Sequence, residues 1–389
     1  MWGDAWATVS GASADGAEWA AVGDVWIGLP ETGAVAVVDV VAGDQGLLDV
    51  TRTLGPTGYG GRLALVDGAL WVGSPAVRQN VGRVQGENRT IDGWAAGDRL
   101  GDALMDCGDL TGDGLSEVLV GVPGWSGAPR LAGASALAGA VLLVRSDTGD
   151  GDLWDAGPVW WGPEGGSALG RAVACDADLD GDGVHDVVVG APFGGLDDRG
   201  LVYLVSGAAL AGTAPTDATF GAGASGSIAD VASRSYTGSI PFGWAGSAFA
   251  AVDLTGSGEP ELIVGAPGGA GAVLIYDPQR GDTLPIATVV GVGHLGRTLG
   301  AGDVDGDGRV DVVVGSPDLD VGRSHDVGRV DVLAFAADLP RSSSIDERSV
   351  GNIVGSEPFQ RVGAWIGLAD VDGDAALDVL LPTRMPAPE

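Results

Sequence analysis

Residues 178–192 read DLDGDGVHDVVVGAP, which is an acidic turn followed by an apolar run. Oxygen-bearing side chains occupy the first, third, fifth and ninth positions of the turn, at Asp178, Asp180, Asp182 and Asp186. Glycine at the fourth and sixth positions lets the backbone take positive φ, so alternate side chains can point at one centre. The run that follows is short, β-branched and bounded by glycine and proline, which predicts a strand rather than a helix.

The end of this stretch is one copy of a repeat. A tetrapeptide of the form VGxP, or a variant of it, occurs seven times at unequal spacing. The copies are Ile27–Pro30, Val72–Pro75, Val120–Pro123, Val189–Pro192, Val264–Pro267, Val314–Pro317 and the shortened Leu380–Pro382. In most units a glycine and a second apolar run follow, so each unit is predicted to supply about four short antiparallel strands. The unequal spacing then indicates a constant strand unit with connections of different length.

A single four-stranded sheet cannot bury both of its faces, whereas sheets stacked radially cover one another and leave short edges. The sequence therefore predicts an all-β fold, a seven-bladed β-propeller of short antiparallel four-stranded blades that forms one domain over residues 1–389. The predicted blades are residues 12–52, 53–94, 95–160, 161–235, 236–291, 292–355 and 356–389.

The N-terminus is predicted to close the ring. Residues 5–11 contain ATVSG at Ala7–Gly11, which matches the outer strands predicted at Ala287–Gly291 and Ser349–Gly355. We expect this segment to pair with the seventh blade. Because the chain ends eight residues after Leu381, we expect either that this blade is short or that the chain is a fragment of a longer protein.

Five turns share the spacing of the first one. Their residues at positions one, three, five, seven and nine are Asp109, Thr111, Asp113, Leu115 and Glu117; Asp178, Asp180, Asp182, Val184 and Asp186; Asp253, Thr255, Ser257, Glu259 and Glu261; Asp303, Asp305, Asp307, Arg309 and Asp311; and Asp370, Asp372, Asp374, Ala376 and Asp378. Side-chain oxygens come from positions one, three, five and nine, and position seven can add its carbonyl oxygen. Hard oxygen donors in this number are typical of Ca²⁺, so up to five calcium sites are predicted.

The five predicted sites differ in strength. The turns beginning at Asp178, Asp303 and Asp370 hold four carboxylates each and are predicted to bind calcium most strongly, whereas the turn at Asp253 holds two and is predicted to be the weakest. Ala375 replaces the glycine of position six in the last turn, which is expected to strain that loop.

An EF-hand would need a glutamate at position twelve and flanking helices. Position twelve is valine in four of the turns and Leu381 in the fifth, and a predicted strand follows each turn. The loops are therefore predicted to be β-hairpin clasps closed by the acid at position nine; plain solvated Asp-Gly turns are the alternative. Blades one and two have tight turns instead, at Gly23-Asp24 and Asp67-Gly68, for which no metal is predicted.

The composition limits the classes of function. Of 389 residues, 53 are acidic and 20 are basic, all of them arginine, so the formal charge is −33. A nucleic-acid binder needs a basic face, which this chain does not offer, and no apolar run of ~18 residues predicts a membrane span. The first residues have neither the basic nor the apolar part of a signal peptide. Apolar residues make up 45% of the chain, which favours a folded protein over disorder.

The order Gly-x-x-x-Ala, DxDxDG, VxVGAP and GxVxx resembles the FG-GAP repeats of integrin α-subunit propellers and of related bacterial proteins. The resemblance runs from about Ala7 to Pro382. It implies a seven-bladed propeller with calcium loops on one face, ligand binding by loops of the opposite face, and an extracellular or periplasmic setting. Unlike integrins, the sequence has no leg region, inserted metal-binding domain or transmembrane segment, which argues against an integrin-type signalling role.

Cys107 and Cys175 occupy similar strand ends in blades three and four, but they differ by one residue in their distance from the acidic turn. Under strict strand alternation they would face opposite ways, so two buried free thiols are favoured over a disulfide between the blades. The three histidines, His185, His294 and His325, are too scattered to predict a Ser-His-Asp site.

The twelve tryptophans are predicted mainly to pack between blades, with an exposed aromatic platform as the alternative. Three long connections, Trp125–Gly139, Thr148–Pro163 and Gly207–Pro241, are the predicted places for ligand contacts, because loops on a rigid scaffold commonly carry binding.

Together these patterns favour a non-enzymatic, calcium-stabilised scaffold that binds a protein or glycan ligand through propeller loops, at the cell surface, outside the cell or in the periplasm. No catalytic residue, no cofactor other than calcium and no nucleic-acid partner is predicted. Two alternatives stay open: a polysaccharide lyase or hydrolase that uses a propeller face, and a structural module of a larger surface protein with further domains.

Overall fold

A computed structural model describes residues 19–22, 25–28, 35–40, 48–54, 62–67, 69–86, 89–127, 137–152, 156–211, 225–335, 339, 341–370 and 374–381. These residues form strands joined by turns, which confirms the all-β prediction. The helical segments among them are short: α1 (Val77–Asn80), α2 (Gly207–Ala211), α3 (Ile228–Val231), α4 (Ile345–Arg348) and a 3-10 turn at Leu196–Asp198. The predicted N-terminal strand at Ala7–Gly11, the Gly23-Asp24 turn, Gly68, Asp372 and residues 382–389 lie outside the described residues.

The chain divides into two compact units, residues 1–57, 248–277 and 285–389 in the first and residues 58–247 and 278–284 in the second. The first unit contains three four-stranded antiparallel sheets and one pair of strands. They are sheet 1, with β1 (Trp19–Val22), β2 (Val25–Gly28), β3 (Val35–Val40) and β4 (Leu48–Leu54); sheet 5, with β19 (Ala248–Val252), β20 (Glu261–Ala266), β21 (Ala272–Tyr276) and β22 (Ala287–Val290); sheet 6, with β23 (Thr298–Gly302), β24 (Asp311–Ser316), β25 (Arg329–Leu333) and β27 (Ser349–Val354); and sheet 7, with β28 (Gly367–Ala369) and β29 (Asp378–Leu380).

The second unit contains three more sheets of the same design. They are sheet 2, with β5 (Leu63–Val66), β6 (Ala69–Gly73), β7 (Arg83–Gly86) and β8 (Arg89–Asp92); sheet 3, with β9 (Leu104–Asp106), β10 (Glu117–Val122), β11 (Ala140–Arg145) and β13 (Val159–Trp161); and sheet 4, with β14 (Val173–Ala177), β15 (Asp186–Ala191), β16 (Leu201–Val205) and β18 (Arg234–Thr237). The outer strands predicted near residues 287 and 349 are therefore present as the fourth strands β22 and β27.

Within each unit the first strands of successive sheets are neighbours. In the second unit β9 lies between β5 and β14, and in the first unit β23 lies next to β19 and β28, and β28 next to β1. Small antiparallel sheets that follow one another side by side through their first strands are the arrangement of propeller blades. Each unit is therefore propeller-like, whereas the single closed ring and the predicted blade boundaries remain predictions.

The second strands explain the VGxP repeat. All six residues of β10, β15, β20 and β24 are buried. Because these strands are buried on both faces, an apolar run without polar alternation follows the acid at their first position. Trp71, Trp125 and Trp160 are buried in the cores between sheets of the second unit, as predicted for packing tryptophans.

The glycine of the VGxP repeat marks a close backbone approach between neighbouring sheets. A Cβ atom at Gly121 would lie 2.0 Å from the carbonyl oxygen of Gly170, and a Cβ atom at Gly190 would lie 2.0 Å from the carbonyl oxygen of Gly246. No side chain fits at that distance, so only glycine allows this spacing. The same contact recurs between Gly73 and Gly101, Gly265 and Gly296, and Gly315 and Gly363.

Cys107 and Cys175 form a disulfide, with their Cα atoms 5.3 Å apart, so the prediction of two free thiols is wrong. The reason is a β-bulge. Ala174 pairs with Val188 but Ala177 pairs with Asp186, so β14 has one extra residue between these pairs. The bulge offsets the one-residue difference between the two cysteines and turns Cys175 towards the neighbouring sheet.

Three two-residue strands cover the outer edges of sheets. They are β12 (Gly151–Asp152), β17 (Gly226–Ser227) and β26 (Ser343–Ser344), which pair in parallel with β8, β13 and β22 respectively. In each case the covering strand comes from the connection between the third and fourth strands of the next sheet in the chain. The cover satisfies backbone groups that an open edge would expose.

Candidate metal centres

Each acidic turn joins the first and second strands of its sheet, and its first aspartate organises the loop backbone. In loop 178–186 the Asp178 carboxylate accepts hydrogen bonds from the backbone N–H groups of Gly181 and Gly183, at 2.7 and 2.8 Å. Both glycines have positive φ, 82° and 92°, so the chain curls around the carboxylate. Asp109, Asp253 and Asp303 accept the equivalent bonds in their loops, and Asp370 accepts one from Ala375.

Position five fixes the backbone of position seven. The Asp182 carboxylate accepts the N–H of Val184 at 2.9 Å. The same bond joins Asp113 to Leu115, Asp307 to Arg309 and Asp374 to Ala376, and the hydroxyl of Ser257 accepts the N–H of Glu259. In the loop at Asp253, the Ser257 hydroxyl also donates to the carbonyl oxygen of Glu259, at 3.2 Å. This predicted metal ligand is therefore already hydrogen-bonded within its own loop.

Position nine begins the second strand, and its carboxylate is buried in all five loops. Glu117, Asp186, Glu261, Asp311 and Asp378 are at most 4% exposed. Each of the first four accepts a backbone N–H from position two or three of its own loop, as Asp186 does from Leu179 at 2.8 Å. The acid at position nine therefore closes the loop, as the hairpin-clasp prediction requires.

Burial makes these carboxylates costly to ionise without a cation. Burial raises the pKa of Glu117 to about 7, with the nearby Asp113 carboxylate adding to the effect. Burial likewise raises the pKa values of Asp186 and Asp311 to about 6, and neighbouring loop carboxylates add to it. The pKa of Glu261 is also raised by burial. A bound cation would remove this penalty, because it compensates the buried negative charge.

The structure brings the loop carboxylates together at two places among the described residues. Asp178, Asp180 and Asp182 offer oxygens that lie within 4.8 Å of one another, and so do Asp303, Asp305 and Asp311. These are two of the three loops predicted to bind calcium most strongly. The third, which begins at Asp370, contains Asp372, which lies outside the described residues.

The loop at Asp109 differs from these two. The Arg145 guanidinium lies 3.3 Å from the Asp113 carboxylate, and the Thr111 backbone and hydroxyl both donate to Glu117. In the loop at Asp253, the Thr255 hydroxyl donates to Glu261 at 2.9 Å. In both loops, side chains that would bind a cation are already engaged by other groups of the protein. Neither loop forms a carboxylate cluster among the described residues.

The donor set fits a hard divalent cation. The two clusters consist of carboxylate oxygens, with no nitrogen or sulfur donor, and carboxylate oxygens suit Ca²⁺ or Mg²⁺ rather than zinc or copper. The clusters can therefore hold a metal ion of this kind.

Two contacts that brace a loop are not predicted from the sequence. The hydroxyl of Ser206 donates to Asp182 at 2.9 Å, and the N–H of Gly207 donates to Asp186 at 3.0 Å. Both residues follow the third strand of sheet 4, so the end of that strand braces the acidic loop. Their position directly after an apolar run is the only sequence signal, and it is too common to identify them.

A polar cluster outside the loops was also missed. His294 Nδ1 is hydrogen-bonded to the Asp318 carboxylate, and the Arg361 guanidinium lies 2.6 Å from the same carboxylate. His294 and Arg361 are non-glycine residues with positive φ, 59° and 51°. They precede the first strands of sheets 6 and 7, and 67 residues separate them in the chain, so no local pattern links them.

Comparison with known proteins identifies the repeat. Residues 169–205 and 295–333 match the FG-GAP repeat, and each match spans one acidic loop with the first, second and third strands of its sheet. The chain therefore contains FG-GAP repeats and is integrin-like, as the sequence predicts.

Three relatives illustrate the range of proteins that share these repeats. The chain is 32% identical over 232 residues to human phosphatidylinositol-glycan-specific phospholipase D, which covers 55% of this chain and 26% of the relative. It is 32% identical over 171 residues to human integrin alpha-IIb, covering 44% and 15%, and 38% identical over 111 residues to chicken (Gallus gallus) integrin alpha-V, covering 27% and 9%. The chain thus spans about a quarter or less of the length of these curated relatives. Among the described residues, no helix is long and apolar enough to cross a membrane.

Proposed function

We propose that the chain is a calcium-stabilised, seven-bladed FG-GAP propeller that acts without enzymatic activity as a binding scaffold for a protein or glycan. The observation that carries this proposal is the repeated acidic loop closed by a buried carboxylate at position nine. Four such carboxylates have raised pKa values in the absence of a cation. A loop whose buried carboxylate is costly to ionise is suited to hold a structural ion.

Calcium would be held by the side chains of positions one, three, five and nine and by the carbonyl of position seven. It would compensate the negative charge of the loop and stiffen the hairpin, and it would take part in no chemical step. The loops beginning at Asp178 and Asp303 are proposed as the strongest sites, with that at Asp370. The Arg145 contact to Asp113 supports a weaker site in the loop at Asp109.

An extracellular, cell-surface or periplasmic location is proposed with this function. The disulfide between Cys107 and Cys175 supports it, because disulfides persist in oxidising compartments and are rare in the reducing cytosol. The integrin relatives support the same setting.

The proposed ligand surface lies on loops of sheet 4 at the end opposite the acidic loop. Phe193, Leu196 and Phe242 are 43%, 76% and 56% exposed there. The ring of Phe193 meets that of Trp244 edge to face, with centroids 5.6 Å apart. Large exposed apolar side chains on a monomer commonly mark a site of interaction.

Backbone hydrogen bonds hold these side chains in place. The N–H of Phe242 donates to the backbone carbonyl oxygen of Asp197 at 2.6 Å, and the N–H of Trp244 donates to that of Asp198 at 3.2 Å. All four residues have positive φ, which is costly for side chains other than glycine. Two strained loops that backbone hydrogen bonds hold in place, with aromatic rings exposed, support a ligand-binding role for this surface. Phe242 directly follows the predicted connection Gly207–Pro241, but none of these residues belongs to that connection.

An enzyme is the second candidate, and the His294–Asp318–Arg361 cluster is the observation that favours it. A histidine oriented by a carboxylate can act as a general base. The proposed substrate class would be a polysaccharide. Loss of turnover of an acidic or neutral polysaccharide in His294→Ala would favour this candidate, whereas a wild-type protein inactive on such a panel favours the scaffold. A structural module of a larger surface protein is compatible with the same calcium chemistry.

Thermal unfolding with calcium and with chelator tests the metal part of the proposal. We expect three to five bound calcium ions and a large rise in melting temperature, because one site at a hundredfold excess over its Kd contributes about 2.7 kcal/mol. Asp180→Asn combined with Asp305→Asn should remove most of the rise. Asp230→Asn, an exposed aspartate outside the loops, is the control for a change of charge. A melting temperature that is equal in calcium and chelator, with no ion bound, would contradict the proposal.

Arrays of glycans and of extracellular proteins test the ligand surface. The combined variant Phe193→Ala and Phe242→Ala should lose binding while keeping the calcium-dependent melting temperature. Leu284→Ala is a matched control, since Leu284 is 71% exposed in the same unit but lies outside the surface. Equal binding by wild type and the combined variant would place the ligand elsewhere.

A further inference from the structure

The third strand places one residue beside each of four acidic loops, opposite the acid at position nine. In sheet 3 this opposing residue is Arg145, which pairs with Glu117 across β10 and β11. In sheets 4, 5 and 6 the residue that follows the last paired residue of the third strand holds the same place. The four opposing residues are Arg145, Ser206, Asp277 and Ala334. The same position therefore carries a cation, a hydroxyl, an anion and a methyl group in otherwise similar loops.

In two repeats the opposing residue reaches the carboxylate at position five. Arg145 Nη1 lies 3.3 Å from Asp113 Oδ2, and the Ser206 hydroxyl donates to Asp182 Oδ2 at 2.9 Å. The other oxygen of each carboxylate, Oδ1, accepts the N–H of position seven. The third strand thus holds the same carboxylate oxygen in both repeats, with a positive charge in sheet 3 and with a neutral donor in sheet 4.

Arg145 is a fixed cation. The Asp147 carboxylate accepts hydrogen bonds from its Nε and Nη2, both at 2.8 Å, and Nη1 points at Asp113. The Arg145 side chain is 25% exposed. A bidentate pair of this kind orients the guanidinium, which stays charged at all ordinary pH values. Asp147 is half-exposed and lies outside the loop, so it is not one of the predicted metal ligands. The loop at Asp109 therefore has a positive charge beside it whether or not a metal is bound.

The two loops would accept a divalent cation unequally. Loop 178–186 has four carboxylates and a neutral opposing residue. In loop 109–117, a cation would compete with Arg145 for Asp113 and would be repelled by the guanidinium. The Ser206 hydroxyl exerts no such repulsion on a cation in loop 178–186.

We propose that the opposing residue sets the calcium affinity of its loop, and that Arg145 is an internal counter-ion that stabilises loop 109–117 when no metal is bound. The first part rests on the proposed calcium function, whereas the second part does not depend on calcium. Loop 109–117 should fill only at calcium concentrations at least about tenfold above those that fill loop 178–186. The affinity then depends on a residue 24 or 32 positions beyond position five, and not on the loop sequence alone.

A reciprocal exchange of the two opposing residues tests the affinity on the full chain. Hydrogen exchange of peptides from each loop, measured at increasing calcium, gives each loop its own midpoint. Arg145→Ser should lower the calcium midpoint of loop 109–117 by about tenfold, and Ser206→Arg should raise that of loop 178–186 by about the same factor. Loop 303–311, opposite Ala334, is the internal reference. Unchanged midpoints in both variants, with loop 303–311 protected by calcium, would overturn the proposal.

The same exchange measured in chelator tests the counter-ion role without calcium. Arg145→Ser should accelerate exchange in loop 109–117 by about two- to fivefold, and Ser206→Arg should slow exchange in loop 178–186 by a similar factor. Arg323→Ser and Ser356→Arg make the same changes of charge at exposed residues outside the loops and should alter neither loop. Exchange in chelator that is equal in wild type and both loop variants would exclude the internal counter-ion.

The two measurements separate this inference from the calcium function itself. Absence of calcium protection in every loop of every protein would overturn the affinity part together with the calcium function. The comparison in chelator would then decide the role of Arg145 by itself.

Discussion

Ala375 shows how a single residue can weaken a repeated loop. The glycines at position six of the other four loops have φ between 80° and 92°, and Ala375 has φ of 76° at the same position. An alanine in this region is strained by about 1 kcal/mol. This strain is predictable from the missing glycine alone, because position six is constrained by local geometry.

Replacing Ala375 by glycine should therefore stabilise the chelator-treated protein by about 0.5–1 kcal/mol, since the relief of strain exceeds the added entropy of the unfolded chain. Urea unfolding measures the difference. Ala376→Gly is the neighbouring control, and it should lower stability because Ala376 does not have positive φ. Destabilisation of equal size by both variants would contradict the assignment of strain to position six.

Gly190 marks a second residue-scale constraint, the close approach of the second strand of sheet 4 to the backbone at Gly246. A Cβ at this glycine would overlap the carbonyl oxygen of Gly246 at 2.0 Å. We expect Gly190→Ala to lower the free energy of unfolding by more than about 3 kcal/mol, because backbone on both sides cannot move aside easily.

Gly149→Ala is the control for Gly190→Ala, since no atom lies within 4 Å of a Cβ built there. Its effect on the urea midpoint should stay within about 0.5 kcal/mol. Similar midpoints for the two variants would show that the sheets can separate to admit a methyl group.

At the scale of elements, local patterns were predictable and pairings between distant segments were not. The second strands and acidic turns follow from residues within about twelve positions of one another. The bulge in β14, the two-residue covers and the contact of His294 with Asp318 each depend on which segments the fold brings together. Two-residue strands such as β26 are also too short to leave a periodic signal.

The disulfide between β14 and the strand end after β9 is the element-scale feature with the largest expected effect on stability. It closes a separation of 68 residues. Replacing both cysteines, Cys107→Ser with Cys175→Ser, should lower the free energy of unfolding by about 2–4 kcal/mol. Urea unfolding of the variant should match that of the wild type under reducing conditions. An unchanged midpoint in the variant would mean that the bond does not constrain the unfolded chain.

For the whole molecule, the dominant electrostatic fact is a formal charge of −33 spread over 389 residues. Repulsion among these charges disfavours the compact state and is reduced by salt. In chelator, raising NaCl from ~0.1 M to ~1 M shortens the Debye length from about 10 Å to about 3 Å and should raise the melting temperature.

KCl should act like NaCl, because screening depends on ionic strength rather than on the cation. Calcium should raise the melting temperature further at constant ionic strength, which separates specific binding from screening. A melting temperature that does not respond to NaCl in chelator would show that self-repulsion is a minor term for this protein.

The glycine-to-carbonyl contact between sheets has a consequence for how such a chain can evolve. Main-chain atoms set the distance between successive sheets, so this distance does not depend on which side chains fill the neighbouring core. A whole sheet with its connections can then be replaced by another of the same design. Gene duplication or exchange of one repeat for another preserves the spacing, while the loops at either end diverge freely towards new partners.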